Sequence, residues 1–182
     1  MCDARGIVLI YDEVQTGVGR TGEWLFAGSE ASGGVVPDVV TLAKALGSGV
    51  PVGACLVTDA IASHIKENDL GTTFGGGMLA MAAVTATLEA IENDRMLENV
   101  RRVEQYLRRR LQEIEQVEAV HGLGFLLGIE FKDNAAPVHK ALLERRIITG
   151  TSSNPKVLRL LPPLCLTEEH VDTFVLATDL HG

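Results

Sequence analysis

Basic residues are the minority charge in this chain of 182 residues: 16 Lys and Arg stand against 24 Asp and Glu, for a formal charge of −8. The acidic surplus is spread along the chain and not gathered in a tail, which argues against nucleic acid or an anionic membrane surface as a partner. Cysteine is scarce as well. Cys2, Cys55 and Cys165 fall at unrelated spacings, so the sequence offers neither a metal-ligand pattern nor an even disulfide set, and a reducing, cytoplasmic compartment is expected. Every apolar stretch is broken by Asp, Glu, Gly or Pro well before the ~18 residues of a spanning helix. Residues 1–20 lack a basic start followed by an apolar run, so no export signal is expected either. Internal repeats and low-complexity tracts are also lacking.

What the chain does have is apolar material, 46% of its residues, enough for a core in one domain or in two small lobes. The composition favours two lobes. Residues 1–92 are rich in glycine and short apolar runs, whereas residues 93–118 are charged and helical in period. The expected boundary is therefore near Asn93, giving domains at 1–92 and 93–182.

Ile7 to Tyr11 is a continuous, partly β-branched run that fits a strand covered on both faces, as in parallel sheets, with Asp12 at its carboxyl end. Further strands are predicted at Val39 to Leu42, just before Lys44, and at Val52 to Val57. A long glycine-bearing loop from Thr16 to Gly34 separates the first two, and loops of that length are usually functional or disordered. Short and long helices are expected at Asp59 to Lys66 and at Met78 to Ile91, and an amphipathic one at Leu97 to Ile114. Strands near Val117 to Val120, Phe125 to Phe131 and Val157 to Leu160, a helix from Ala136 to Arg145, and a closing helix starting at Thr167 make the second lobe α+β.

In open α/β sheets ligands sit beyond the carboxyl ends of the strands, so Asp12 and Lys44 could face one another across a pocket. Taken alone, Asp12 also reads as a turn- or helix-capping residue and Lys44 as a solvated cation. The segments running from Asp12-Glu13-Val14-Gln15-Thr16-Gly17 to Arg20-Thr21-Gly22, from Pro37-Asp38 to Lys44-Ala45-Leu46-Gly47, and from Gly71-Thr72-Thr73 to Gly76 change that balance. Three motifs in this order closely resemble the class III family of pyridoxal-phosphate-dependent aminotransferases, nearest to its acetylornithine and ornithine aminotransferases. The resemblance covers essentially the whole chain and continues at Gly122-Leu123-Gly124 and at Leu158 to Leu164.

The resemblance implies part of a fold-type-I large domain with a mostly parallel sheet, followed by a small α+β carboxyl-terminal domain, and pyridoxal 5′-phosphate as cofactor. Asp12 would pair with the ring N–H and favour the pyridinium form that makes the cofactor an electron sink. Val14, two residues on along an extended chain, would pack on the ring face, and Gln15 would donate to the phenolic oxygen. Lys44 would form the internal Schiff base and move the proton between the substrate α-carbon and the cofactor, a role that needs an amine made less basic by a desolvated pocket or a nearby cation.

Thr73 and the turn Gly71 to Gly77 would hold a cofactor phosphate, that of the other subunit, which implies a homodimer with shared sites; the same glycines also suit close backbone packing alone. Gly77 stands where asparagine is commoner in the family. Arg159, on a short apolar strand, would grip the substrate α-carboxylate, the other reading being a snorkelling surface arginine. His121, where the family more often has arginine, and Glu13 receive no role. The arginines between Arg101 and Arg110 alternate with glutamates as on a solvated helix face.

Too few elements flank the first strand to cover it. The chain therefore reads as the carboxyl-terminal half of a transaminase that moves an amino group between an ω-amino or acylated amino acid and a 2-oxo acid, in arginine biosynthesis, with little activity by itself. A non-catalytic dimerisation or interaction module derived from an aminotransferase is the alternative. A nucleotide-binding protein is disfavoured, since no lysine or acidic ribose partner follows the Thr72 to Gly77 loop at the expected spacing.

Overall fold

A computed structural model describes residues 1–178. The chain separates into two compact units, one made of Met1–Gly19 and Glu23–Asp94, the other of Arg20–Gly22 and the chain from Arg95 onward.

The first unit is built on three strands, β1 (Ile10–Asp12), β2 (Val39–Leu42) and β3 (Ala54–Val57), in the order β1-β2-β3. β1 runs parallel to β2 with Ile10 opposite Val39 and Asp12 opposite Thr41; β3 runs antiparallel to β2 with Thr41 opposite Cys55. Along β2 the period of two is plain: Val40 and Leu42 are buried, while Val39 and Thr41 are half-buried on the other face. Leu46, just beyond the strand, and Val18 are buried too. Two helices follow, α1 (Asp59–Ala62) and α2 (Met78–Asn93), and α2 packs on the turn Lys44–Gly47.

One expectation needs correction here. The first strand begins at Ile10 and not at Ile7, and just before it the backbone bonds to the residue that precedes β2: the Asp38 carboxylate accepts the Leu9 N–H at 2.8 Å and Asp38 returns its own N–H to Leu9 O. As the scarcity of flanking elements predicts, the strand is not covered on both faces among the described residues. Ile10 is 58% exposed and Ile7 and Val8 about half exposed, with no strand among the described residues on that edge.

The second unit is a four-stranded antiparallel sheet, β4 (Val117–Leu123), β5 (Leu126–Phe131), β6 (Gly150–Thr151) and β7 (Val157–Leu160), in the order β4-β5-β7-β6. Helices α3 (Met96–Gln112), α4 (Ala136–Glu144) and α5 (Glu168–Thr178) complete it. From Val100 on, the spacing read from the sequence is the packing face: Val100, Val103, Leu107, Leu111 and Ile114 point into the core, meeting Phe125, Leu127, Ile129, Leu158 and Phe174, whereas Leu97 at the start of the stripe is half-buried. α5 starts where its side chains allow. Thr167 Oγ1 accepts the His170 N–H at 3.3 Å, which satisfies one of the donors orphaned at a helix start.

The short segment Arg20–Gly22 is stitched into this second unit. Phe125 donates its N–H to Arg20 O at 2.8 Å, the Arg20 guanidinium donates to Pro162 O, and Arg101 donates to Gly22 O. Burial lowers the pKa of Arg20 from its ordinary value, although a guanidinium remains charged there. Gly124 makes the fit possible. It has φ +58°, and a Cβ on it would lie 2.3 Å from Arg20 O and 2.7 Å from Thr21 Cα. The Gly122-Leu123-Gly124 motif is therefore the seat of the Arg20-Thr21-Gly22 motif.

Candidate active site

Because β1 and β2 are parallel and in register at Asp12 and Thr41, their carboxyl ends lie side by side, and the two charges predicted from the sequence come from adjacent strand ends. Asp12 closes β1, and Lys44 opens the turn Lys44–Gly47 two residues after β2. Lys44 has φ +47°, a left-handed conformation that costs a residue with a side chain about 1–3 kcal/mol and recurs at functional positions. Its amine has no hydrogen bond or ion pair among the described residues. The side chain is exposed, so the described residues do not build the desolvated pocket expected around that amine.

Asp12 is fixed by two donors. Its Oδ1 accepts the Thr41 hydroxyl at 3.0 Å and the Val14 N–H at 3.1 Å. The second bond changes the local path of the chain at Val14. The chain turns directly after Asp12 instead of staying extended, in the manner of an Asx-turn, so the period-two argument that aimed Val14 alongside Asp12 does not apply. Val14 is half-buried and Gln15 exposed in this turn. Gly17 lets the turn lie on the strand before Lys44: a Cβ there would meet Leu42 Cδ2 at 2.6 Å and Glu13 O at 3.0 Å.

Glu13, left without a role by the sequence, anchors the whole segment. It is 2% exposed, and its carboxylate accepts the N–H groups of Phe26 and Ala27, each at 2.7 Å, and the Thr16 hydroxyl at 3.3 Å. Tyr11 and Phe26 stack beside it with ring centroids 6.5 Å apart. The long glycine-bearing loop is thus ordered around a buried anion. A glutamate two residues beyond the apolar run Ile7 to Tyr11 was the available signal, since such a charge is buried only with donors around it.

Thr73 lies in the irregular stretch between α1 and α2, exposed and without a hydrogen bond among the described residues. It sits five residues before the start of α2, whose N-cap Gly77 offers no side-chain cap. In the second unit Arg159 lies on β7 between buried Leu158 and Leu160 and faces away from the core. Its cross-strand partners are both glycine, Gly128 on β5 and Gly150 on β6, so no side chain beside it covers the guanidinium. It too has no hydrogen bond or ion pair among the described residues. The donor set fits pyridoxal phosphate at the ring: a carboxylate with one oxygen free of donors, and an unpaired amine at the neighbouring strand end.

A mixed α/β unit with functional groups at parallel strand ends, followed by an α+β unit, is the arrangement of pyridoxal-phosphate aminotransferases. The solved acetylornithine aminotransferase of Elizabethkingia anophelis superposes with a TM-score of 0.84 at 30% identity, over 98% of this chain and 46% of that one. Ornithine δ-aminotransferase of Plasmodium falciparum does so with a TM-score of 0.82 at 35% identity, over 97% and 46%. The family profile described as Aminotransferase class-III matches residues 1–178. Among curated relatives, the acetylornithine aminotransferase of Methanocaldococcus jannaschii is 42% identical over 98% of this chain and 45% of its own length, and that of Archaeoglobus fulgidus 43% identical over 93% and 44%. The chain belongs to the class III aminotransferase family, whose members are pyridoxal-phosphate enzymes. It spans less than half the length of these relatives.

Proposed function

We propose that this chain is the Lys44-bearing part of a transaminase of the acetylornithine/ornithine type, with residues 1–92 belonging to the cofactor domain and 93–182 to the small domain. The observation that carries the reading is the pairing of Asp12 with Thr41 on parallel strands, which sets a carboxylate beside the strand end that leads to the unpaired amine of Lys44. Pyridoxal phosphate, when bound, supplies an electron sink for the electrons of a broken substrate Cα–H bond. Asp12 accepts the ring N–H and keeps it protonated. Val14 and Gln15 line the ring, one by contact and one by donating to its oxygen. Lys44 would hold the cofactor's aldehyde carbon until the substrate amine displaces it, and its freed amine would then carry the proton from the substrate α-carbon to that carbon.

Arg159 binds the substrate α-carboxylate through a bidentate guanidinium pair, a role supported by the two glycines that leave it uncovered. The substrates are an ω-amino or acylated amino acid and a 2-oxo acid, and the enzyme is a cytoplasmic one of arginine biosynthesis. Thr73 serves the phosphate of a second subunit in a homodimer; Phe74 and Met78, 90% and 91% exposed beside it, support an apolar contact there. The 182-residue chain alone turns over little or no substrate, in keeping with its covering under half its relatives' length.

The experiment is a titration of the chain with pyridoxal phosphate, following visible absorbance. Wild type develops a band that Lys44→Ala lacks and Asp12→Asn weakens; identical spectra for all three refute the assignment. The exposed apolar edge at Ile7, Val8 and Ile10 favours a second reading, a non-catalytic module that docks a partner. A monodisperse assembly with no cofactor band would select it.

A further inference from the structure

We propose that Thr41 is a positioning residue for the acid that meets the cofactor's ring nitrogen, an inference that rests on the reading of Asp12 given above. An ionised carboxylate only accepts hydrogen bonds, with two oxygens and roughly four lone-pair sites. On Asp12 these are used unequally. Oδ1 takes both the Thr41 hydroxyl, at 3.0 Å, and the Val14 N–H, at 3.1 Å, whereas no donor among the described residues reaches Oδ2.

The two donors come from different pieces of chain. Thr41 stands on β2 directly opposite Asp12, and Val14 on the turn that follows β1. Held from two directions, Oδ1 fixes the plane of the carboxyl group and leaves Oδ2 to accept the ring N–H. The hydroxyl is delivered from a rigid place: threonine is stiff at χ1, and its neighbours Val40 and Leu42 are buried. Without it, the exposed Asp12 keeps a single tether, and either oxygen can turn to the Val14 N–H. Valine at this position keeps the shape and loses the donor, while serine keeps the donor.

The test titrates the 182-residue chain and its Thr41→Val and Thr41→Ser variants with pyridoxal 5′-phosphate and with its deaza analogue, whose ring has carbon in place of nitrogen. The Val14 amide resonance is followed in the same samples without ligand. Thr41→Val is expected to weaken the phosphate ester's binding about fivefold to tenfold, the worth of one hydrogen bond, and to move the Val14 resonance. Thr41→Ser should stay within about twofold of wild type and leave the resonance in place. All three proteins should bind the deaza analogue alike. Equal affinity of wild type and Thr41→Val for pyridoxal phosphate overturns the inference, whatever the resonance does. A Thr41→Val loss that is the same for both ligands also overturns it, because it marks a merely structural role. Wild type that binds no tighter than Lys44→Ala defeats the functional reading itself, a result separate from the others because it arises before any change at Thr41.

Discussion

Replacing Glu13 by alanine removes the anion around which the loop from Thr16 to Gly34 is ordered, and the structure sets the size of the effect. Two backbone donors, Phe26 N–H and Ala27 N–H, each lose a 2.7 Å bond to a carboxylate that is 2% exposed. A hydrogen bond to a charged group contributes about 1.5–3 kcal/mol, and a buried donor left unpaired costs about 1–3 kcal/mol. Some of that is recovered if the loop swings out and water reaches the freed N–H groups. The net expected loss is about 2–4 kcal/mol. Glu13→Gln should fall between, because an amide oxygen serves one N–H while its NH2 group opposes the other. Urea unfolding measures the stability, and limited proteolysis reports the loop. The alanine variant should unfold at lower urea with a similar slope and be cut between Trp24 and Val36. Unchanged stability together with unchanged proteolysis would refute the anchoring role.

Other expectations follow from the same structure. Leu107→Ala, at a position 1% exposed in the core between α3 and the sheet, should cost about 2–5 kcal/mol in the unfolding of the second unit. Gly124→Ala places a Cβ 2.3 Å from Arg20 O at φ +58° and should destabilise by more than about 1 kcal/mol, whereas Gly33→Ala, with positive φ but nothing within 4 Å, should cost less. Thr167→Ala removes the cap of α5 and should cost about 1 kcal/mol by the same unfolding assay. Met78→Asp should reduce self-association in sedimentation, since the side chain is 91% exposed next to the Thr73 loop; an unchanged sedimentation profile speaks against the proposed contact.

The elements with strong periodicity are legible in the sequence. β2 and β7 fall on their predicted residues, and the buried face of α3 is the one its three- and four-residue spacing marks. The side-by-side placing of the strand ends at Asp12 and just before Lys44 is legible as well, because strand ends in a parallel sheet gather on one edge. What stayed hidden depends on contacts distant in sequence. No local pattern links Glu13 to Phe26 and Ala27, or Gly124 to Arg20: the first is made by a buried carboxylate reaching backbone N–H groups, the second by close backbone approach. The two-residue strand β6 is too short to show a period, yet it puts Gly150 beside Arg159. The turn at Val14 stayed hidden too, because an Asx-turn at Asp12 overrides the extended conformation that its apolar neighbours suggest.

The central claim is that the lysine after β2 is the one that carries the cofactor. Incubating the chain with pyridoxal phosphate, reducing with borohydride and mapping the peptides by mass reads this directly, because Lys66, Lys132, Lys140 and Lys156 serve as internal competitors. Label concentrated on Lys44, and reduced on that peptide when Asp12 is changed to asparagine, is the predicted result. Label spread over the five lysines in proportion to their exposure, or centred on one of the other four, would contradict it.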